Sequence, residues 1–447
     1  MGTERLVGAS FGRRTLVAGV AATLATGCDA LRGEAVPEVP VWLNRPGGVL
    51  GIAYRKTITD PTRIVDLPYE RGRPGLDIRG LRVFVGSQDR GLYAVDAPSG
   101  DVIWRFETLG PVQSEPYYDA EEDCVYFGSA DGALYKVKAE NGDLIYRFST
   151  NAEIARRAVV TGDTVFITNA NDTLVSLDRA SGKMRWYRHR TPAFGIEIGG
   201  HAGVSVDESR AYTAFSDGVI MAYARTDGSE QWPTVDLTVE AASAEGQPPQ
   251  YLDADTTPVL STVAGTDGLF VAHYEGGVYA LEAETGRTLW RNEAVVGVNN
   301  LLLWEQPPHA GRPRVPYGDV GPDAPSRRVL VASSGRTGLW GLDPDDRGRV
   351  LWRKKLPEGG ISAPVQVAGA ILVTTTRYGI FLVEPTQGAV IDGIEPGNEI
   401  AMTPAAYGQH AFVMTNGGSL ISLVIQPPPG VDRPRPETKK TGPKKAG

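Results

Sequence analysis

The chain has 447 residues, of which 41% are hydrophobic and 22% charged, so it can bury a large core. Its 54 glycines against 5 methionines favour a protein of many turns and few helices. The net charge of −8 argues against a nucleic-acid partner, because an acidic chain cannot neutralise phosphates along a groove.

The first 28 residues have the pattern of a signal peptide. Arg13 and Arg14 precede an apolar run from Thr15 to Thr26, which is too short to span a bilayer. The run ends in a Gly-Cys pair that resembles a bacterial lipobox, so we expect Cys28 to become a lipidated N-terminus. The paired arginines leave twin-arginine export open beside the Sec route. Asp29, directly after that cysteine, favours the inner membrane by the enteric sorting rule.

Residues 29–48 carry three prolines and a Gly-Gly pair, and we expect them to tether the lipid to a globular domain. Cys124 is the second of the two cysteines, so once Cys28 is lipidated the chain cannot form an intrachain disulfide. The sequence contains no Cys-x-x-Cys motif for metal, redox or haem chemistry.

One unit is repeated along the rest of the chain. In residues 83–106 an apolar run meets a Ser-x-Asp-x-Gly turn, alternation resumes, and a second turn leads to a third run that contains a tryptophan. This pattern predicts three strands and two tight turns. Similar units begin at residues 125, 165, 211, 269, 329, 371 and 411, which makes eight. The spacings of 42, 40, 46, 58, 60, 42 and 40 residues are typical of four-stranded propeller blades.

The sequence also indicates how the ring closes. A short apolar segment precedes each unit and supplies the innermost strand of its blade. The last unit runs into Pro427–Pro429 before an outer strand can form, whereas Val49–Ile58 is a strand without a blade of its own. We expect Val49–Ile58 to complete the eighth blade, so that no sheet edge stays open. The predicted fold is an all-β, eight-bladed β-propeller of four-stranded antiparallel blades over residues 49–425.

The turn before the outer strand carries the most specific motif, Ala-x-Asp-x-x-x-Gly-x-x-x-Trp. The carboxylate accepts turn amides, the glycine takes a left-handed conformation, and the tryptophan docks against the next blade. Two blades have Tyr146 and Asp392 in place of the tryptophan. The residues predicted for this structural role are Asp96, Gly100, Trp104, Asp178, Gly182, Trp186, Gly228, Trp232, Gly286, Trp290 and Trp352.

This motif resembles the tryptophan-docking motif of the PQQ-type eight-bladed propellers. That superfamily contains quinoprotein dehydrogenases, which are enzymes, and the BamB outer-membrane assembly factors, which are lipoprotein scaffolds. Fold alone does not choose between them. The resemblance to a methanol-type dehydrogenase would imply a pair of adjacent cysteines, a general-base aspartate and a calcium ion. No two cysteines are adjacent here, and the repeated aspartates belong to turns. The BamB resemblance therefore leads, with no catalysis and no cofactor.

Other candidate ligands are scattered. The five histidines are His189, His201, His273, His309 and His410, and they lack ligand spacing. We expect an ordinary structural role for each of them, and His201, in the inner segment of the fourth blade, is the best candidate among them for a side chain that faces the axial channel. The pair Asp253 and Asp255 fits a solvated loop, with a cation site as the alternative. A periplasmic ligand sensor that uses the channel mouth is thus a third possible function, beside the scaffold and the enzyme.

The BamB resemblance implies a periplasm-facing lipoprotein of the outer membrane that docks on the β-barrel insertase BamA. The family's contact segment lies shortly after the third blade's docking tryptophan, which corresponds here to residues 195–199. The leucines and the arginine of the family segment are absent, so their roles do not transfer. Phe194 and Ile196 remain as candidate partner residues, with packing between blades as the alternative.

Two long insertions and a tail complete the chain. Residues 233–255 follow an outer strand and residues 305–327 follow an inner strand, so we expect them on opposite faces. Both are longer than connectors need to be, which favours binding or disorder over packing. Residues 426–447 carry six basic residues against two acidic ones, and we expect a disordered tail. That tail either contacts an anionic membrane surface or peptidoglycan, or is simply solvated.

Overall fold

In the computed structural model, the described residues form eight four-stranded antiparallel sheets. It describes residues 48–64, 69–193, 201–242, 249–306, 327–356, 360–376, 379–397, 400 and 402–426. Each sheet is one blade, which confirms the predicted eight-bladed propeller. The helices of these described residues are α1 (Leu237–Ala241) and a single 3-10 turn, Pro61–Arg63. None of them has the length and apolar character needed to cross a membrane.

The strands of the first four blades are given from the innermost to the outermost. Blade 1 comprises β2 (Pro74–Asp77), β3 (Arg82–Gly86), β4 (Gly91–Asp96) and β5 (Val102–Glu107). Blade 2 comprises β6 (Tyr117–Asp119), β7 (Cys124–Gly128), β8 (Ala133–Lys138) and β9 (Leu144–Ser149). Blade 3 comprises β10 (Val159–Thr161), β11 (Thr164–Asn169), β12 (Thr173–Asp178) and β13 (Met184–His189). Blade 4 comprises β14 (Val204–Val206), β15 (Arg210–Ala214), β16 (Val219–Ala224) and β17 (Val235–Asp236).

The second half of the ring follows the same order. Blade 5 comprises β18 (Val259–Val263), β19 (Thr266–His273), β20 (Gly277–Glu282) and β21 (Thr288–Asn292). Blade 6 comprises β22 (Val298–Glu305), β23 (Arg328–Ser334), β24 (Gly338–Leu342) and β25 (Val350–Lys354). Blade 7 comprises β26 (Val365–Val367), β27 (Ala370–Thr375), β28 (Gly379–Val383) and β29 (Val390–Ile394). Blade 8 comprises β30 (Ala405–Tyr407), β31 (His410–Met414), β32 (Ser419–Ile425) and the first strand of the chain, β1 (Leu50–Thr57).

The ring closes through β1, as predicted. This strand pairs antiparallel with β32, from Leu50 opposite Ile425 to Thr57 opposite Ser419. The outer position of the last blade is therefore filled by the start of the propeller rather than by its end. The pairing ties both ends of the propeller into one sheet, so the eighth blade cannot open without breaking this ladder.

The core lies between blades rather than within one central volume. The central residues of the middle strands are buried, and β7 and β28 are buried along their whole length, because each blade is covered on both faces by its neighbours. The buried apolar residues form eight clusters, one for each pair of adjacent blades. The cluster that joins blade 8 to blade 1 contains Phe412 and Met414 beside Val83 and Tyr93. Hydrophobic packing therefore runs unbroken around the ring.

The two insertions differ from the prediction in one respect. The outer strand of blade 4 lies after Trp232, because only Val235 and Asp236 pair with β16 as the strand β17. The first insertion therefore begins with α1, which Asp236 caps by accepting the amide of Thr238 at 2.9 Å. The second insertion joins β22 to β23, and its residues 307–326 lie outside the described part of the chain. We call the face that carries the segments from each outer strand to the next inner strand the connector face.

Candidate functional site

The docking tryptophans join each blade to the next by one repeated hydrogen bond. Each indole Nε1 donates to a backbone carbonyl in the turn before the outer strand of the next blade. The acceptor is the residue directly after the position that the aspartate occupies in the motif. The five bonds are Trp104 to Ala139 at 3.0 Å, Trp186 to Arg225 at 3.0 Å, Trp232 to Ala283 at 3.0 Å, Trp290 to Pro344 at 3.1 Å and Trp352 to Pro385 at 2.7 Å. A buried indole with a satisfied N–H combines a large apolar area with a directional contact.

The turn glycines receive these rings. Gly228 has a φ of +70°, and a Cβ at this position would lie 2.7 Å from the ring of Trp186. Gly286 is placed in the same way against Trp232, with a φ of +75° and a distance of 2.8 Å. Two independent constraints thus require glycine in the turn, the left-handed backbone and the close approach of the ring.

The motif aspartates hold the same turns together. Asp96 accepts the amide of Ser99 at 2.9 Å, and Asp178 accepts the amide of Ser181 at 2.8 Å. These carboxylates lie in turns on the face opposite the connector face. Their contacts are those of turn formation, as the sequence pattern suggested.

The blades without a tryptophan use other groups at the same position. Tyr146 lies over Gly182 and its hydroxyl donates to the carbonyl of Arg179 at 3.3 Å. Asp392 is buried and accepts the backbone N–H of Leu50 at 2.7 Å, which fastens β1 to blade 7. At the final junction Tyr54 of β1 lies 2.6 Å from where a Cβ of Gly100 would stand. The docking ring is therefore complete at all eight junctions.

A group of possible metal ligands lies beside the Tyr146 junction. Asp119, Glu122 and Cys124 bring their ligand atoms within 4.8 Å of one another. Both carboxylates are already paired with Arg179, Asp119 at 2.7 Å and Glu122 at 3.1 Å, and Glu122 also contacts Lys136. Burial raises the pKa of the Cys124 thiol to about 12, so it stays protonated. We assign this group to the interface between blades 2 and 3.

A second polar group forms on the connector face. Arg73 precedes the inner strand of blade 1, Glu153 and Arg156 precede that of blade 3, and His201 precedes that of blade 4. Arg73 Nη1 donates to a blade 3 carbonyl at 3.4 Å. Arg156 donates from Nε to the carbonyl of His201 and from Nη2 to that of Asp255 in blade 5 at 3.1 Å. Contacts that skip a blade are possible only near the propeller axis. We call these four side chains the axial cluster: Arg73, Glu153, Arg156 and His201.

Burial dominates the electrostatics of the axial cluster. It lowers the pKa of His201 to about 3, assisted by the positive charges of Arg156 and Arg73. Burial also lowers the pKa of Arg156 to about 10 and raises that of the Glu153 carboxyl. His201 is therefore neutral at neutral pH. That the His201 side chain faces the channel stays a prediction.

The predicted partner segment lies in the chain between Ala193 and His201. Phe194 and Ile196 themselves lie outside the described residues, as do Cys28, the tether up to residue 47 and the tail from residue 427. The residue before this segment, Ala193, donates its amide to Ser216 at 2.9 Å. The first residue of α1 is Leu237, whose amide donates at 3.1 Å to the carbonyl of Gly218 in the same blade 4 turn.

Comparison with known proteins identifies the family. The sequence profile of the family described as "Outer membrane protein assembly factor BamB" matches residues 64–156, 88–304 and 216–347. The chain belongs to the BamB family. It is 23% identical over 212 residues to the BamB of Legionella pneumophila (strain Paris), covering 47% of each chain. It is 24% identical over 301 residues to the BamB of Yersinia pestis, covering 67% of this chain and 58% of the relative. The chain thus spans about half of the length of these curated relatives.

Solved structures share this fold. The crystal structure of BamB from Moraxella catarrhalis superposes with a TM-score of 0.64 at 17% identity, over 84% of this chain and 99% of that one.

An enzyme is also among the relatives of this BamB-family chain. A polyvinylalcohol dehydrogenase of a Pseudomonas species is 23% identical over 345 residues, covering 67% of this chain and 47% of the enzyme. The superfamily resemblance seen in the sequence is thus confirmed.

Proposed function

We propose that this chain is a non-catalytic scaffold of the bacterial cell envelope that docks on a β-barrel insertase of the BamA kind. The observation that carries the proposal is membership of the BamB family, whose profile matches residues 64–347 in three overlapping segments. In this proposal lipid on Cys28 anchors the chain, residues 29–48 act as a tether, and the propeller faces the periplasm from the outer membrane. The inner membrane is the alternative that Asp29 favours.

The docking surface we propose is the connector face at blades 3 to 5. Two segments converge there on the blade 4 turn formed by residues 215–218, the one that leads into Phe194 and Ile196 and the one that begins α1. Val239 of α1 is 71% exposed, which is unusual for an apolar residue on a helix that is otherwise anchored. An exposed apolar side chain on a rigid blade is a suitable anchor for a protein partner.

Site-specific photo-crosslinking in cells tests this docking surface. A photoreactive amino acid at Val239 or Ile196 should capture a β-barrel insertase from the membrane fraction. The matched control is Asn141, an exposed residue in a turn on the opposite face of blade 2, where no such product is expected. Equal capture from Asn141, or no insertase product from either test position, would refute the docking proposal.

The dehydrogenase relative supports a second candidate function, a PQQ-dependent oxidation. The residues give it little support, because no two cysteines are adjacent and the acidic group at Asp119 and Glu122 is already paired with Arg179. Incubation of the purified chain with the quinone and calcium distinguishes the two functions. The scaffold proposal expects no retained quinone absorbance and no oxidation of alcohols or sugars, whereas an enzyme would give both.

A further inference from the structure

The two arginines of the axial cluster make no direct contact with a carboxylate of the described residues, although Glu115 lies near both of them and Glu153 near Arg73. Arg73 makes one long contact with a backbone carbonyl, and its Nε is buried without a hydrogen bond to any described residue. Within the described part of the chain, Arg156 is bonded to backbone carbonyls alone. Neither forms an ion pair with the described residues, whereas the neighbouring Arg157 pairs with Glu115 at 3.2 Å.

Two further atoms of the axial cluster have no hydrogen-bond partner among the described residues. His201 is 5% exposed, and its Nε2 is buried without a hydrogen bond to any described residue. The same holds for one carboxylate oxygen of Glu153, Oε1. Buried polar atoms are almost always satisfied, by water or a ligand where the protein does not do so. These unsatisfied atoms come from segments of blades 1, 3 and 4 that lie near the axis, and we take them as the groups that a small polar molecule would contact.

We propose that the axial cluster binds a small oxyanion, a carboxylate or a phosphate, between Arg73 and Arg156. Guanidinium groups present paired N–H donors whose geometry matches the two oxygens of such an anion. A bound anion also reduces the repulsion between these two like-charged side chains.

Glu153 allows a test of whether the bound molecule is an anion or a cation. Its carboxylate lies near Arg73, and burial disfavours its charge. An anion bound at Arg73 is repelled by this carboxylate, whereas a bound cation would be attracted to it. Removal of the Glu153 charge should therefore strengthen the binding of an anion, and removal of the Arg73 charge should weaken it.

Isothermal titration of the purified chain with citrate and, separately, with inorganic phosphate tests the proposal at pH 7.5 and low salt. We expect saturable binding of at least one of them. Loss of a charge-assisted contact in Arg73→Gln should weaken this binding about tenfold or more, whereas Glu153→Gln should strengthen it. Arg185→Gln is the matched control, because it removes an arginine on an outer strand that already has acidic partners, Asp163 and Asp178, and it should leave the affinity unchanged.

The two titrations also distinguish the source of the anion. Tighter binding of citrate assigns the site to carboxylates, and tighter binding of phosphate assigns it to phosphorylated molecules. Arg73→Lys, which keeps the charge without the paired donors, should retain part of the affinity and so separates binding from folding. The proposal is wrong if neither anion binds saturably, or if Arg73→Gln and Arg185→Gln bind equally well.

Discussion

The contact between Trp186 and Gly228 allows a direct test of blade docking. In Gly228→Ala the new methyl group would stand 2.7 Å from the indole ring, at a φ of +70°. The left-handed backbone costs about 1–2 kcal/mol for a residue with a Cβ. Forcing the ring away adds the cost of overpacking, typically about 1–3 kcal/mol. We therefore expect Gly228→Ala to lower the free energy of unfolding by about 2–5 kcal/mol.

Gly162→Ala is the matched control for this substitution. Gly162 has a φ of +57°, but a Cβ there would meet no heavy atom within 4 Å. Its alanine variant therefore carries only the backbone cost of about 1–2 kcal/mol. Urea unfolding followed by both tryptophan fluorescence and circular dichroism gives the free energies, provided that the two transitions coincide.

A double-mutant cycle isolates the docking contact itself. Trp186→Ala alone should cost about 3–5 kcal/mol, because it removes a buried ring and its hydrogen bond. In that background Gly228→Ala has no ring to displace, so its cost should fall to that of Gly162→Ala. The reasoning is refuted if Gly228→Ala costs the same with and without Trp186, or no more than the control at Gly162.

Three other consequences can be measured. Burial lowers the pKa of His201 to about 3 and that of His273 to about 4, so both stay neutral in the fold while the unfolded chain protonates near pH 6.5. The free energy of unfolding should therefore fall as the pH drops below 6.5, by about 2 kcal/mol per histidine at pH 5. Between pH 7.5 and 5.0, His201→Gln should lose less of its free energy of unfolding than the unchanged chain does. Asp392→Ala should cost about 1.5–3 kcal/mol, since it strands the buried amide that begins β1; Asp101→Ala, at an exposed ion pair, is the control and should leave the urea midpoint unchanged. Cys28→Ser should move the chain from the membrane fraction to the soluble fraction, and an unchanged distribution would contradict lipidation.

The sequence was sufficient to predict the fold because every blade of a propeller repeats the same structural unit. Every blade needs the same turn geometry and the same buried middle strands, so eight imperfect copies reinforce one another. Ring closure followed from one missing outer strand and one unpaired segment. The role of Tyr54 at the last junction did not follow, because β1 stands apart from the repeat and carries none of the motif that marks the other outer strands.

The axial cluster could not be predicted for a different reason. Its residues lie in irregular segments before inner strands, with no fixed spacing, and Arg73 and His201 are separated by more than a hundred positions. Only closure of the ring brings these segments together at the axis. His201 was the one member that sequence position alone suggested. Similarly, blade 4 departs from the repeat after Trp232, where the strand resumes at Val235 for only two residues and its pattern is too short to recognise.

The antiparallel pairing of β1 with β32 has a mechanical meaning. Leu50 and Ile425 face each other at the end of the ladder where the chain enters and leaves the propeller, and Gln426 donates its amide to the carbonyl of Val49 at 2.6 Å. A force that pulls these two points apart loads the hydrogen-bonded pairs between the two strands one after another instead of all at once. A load carried through the entry segment alone, with the body of the ring held elsewhere, shears the whole ladder and meets far greater resistance.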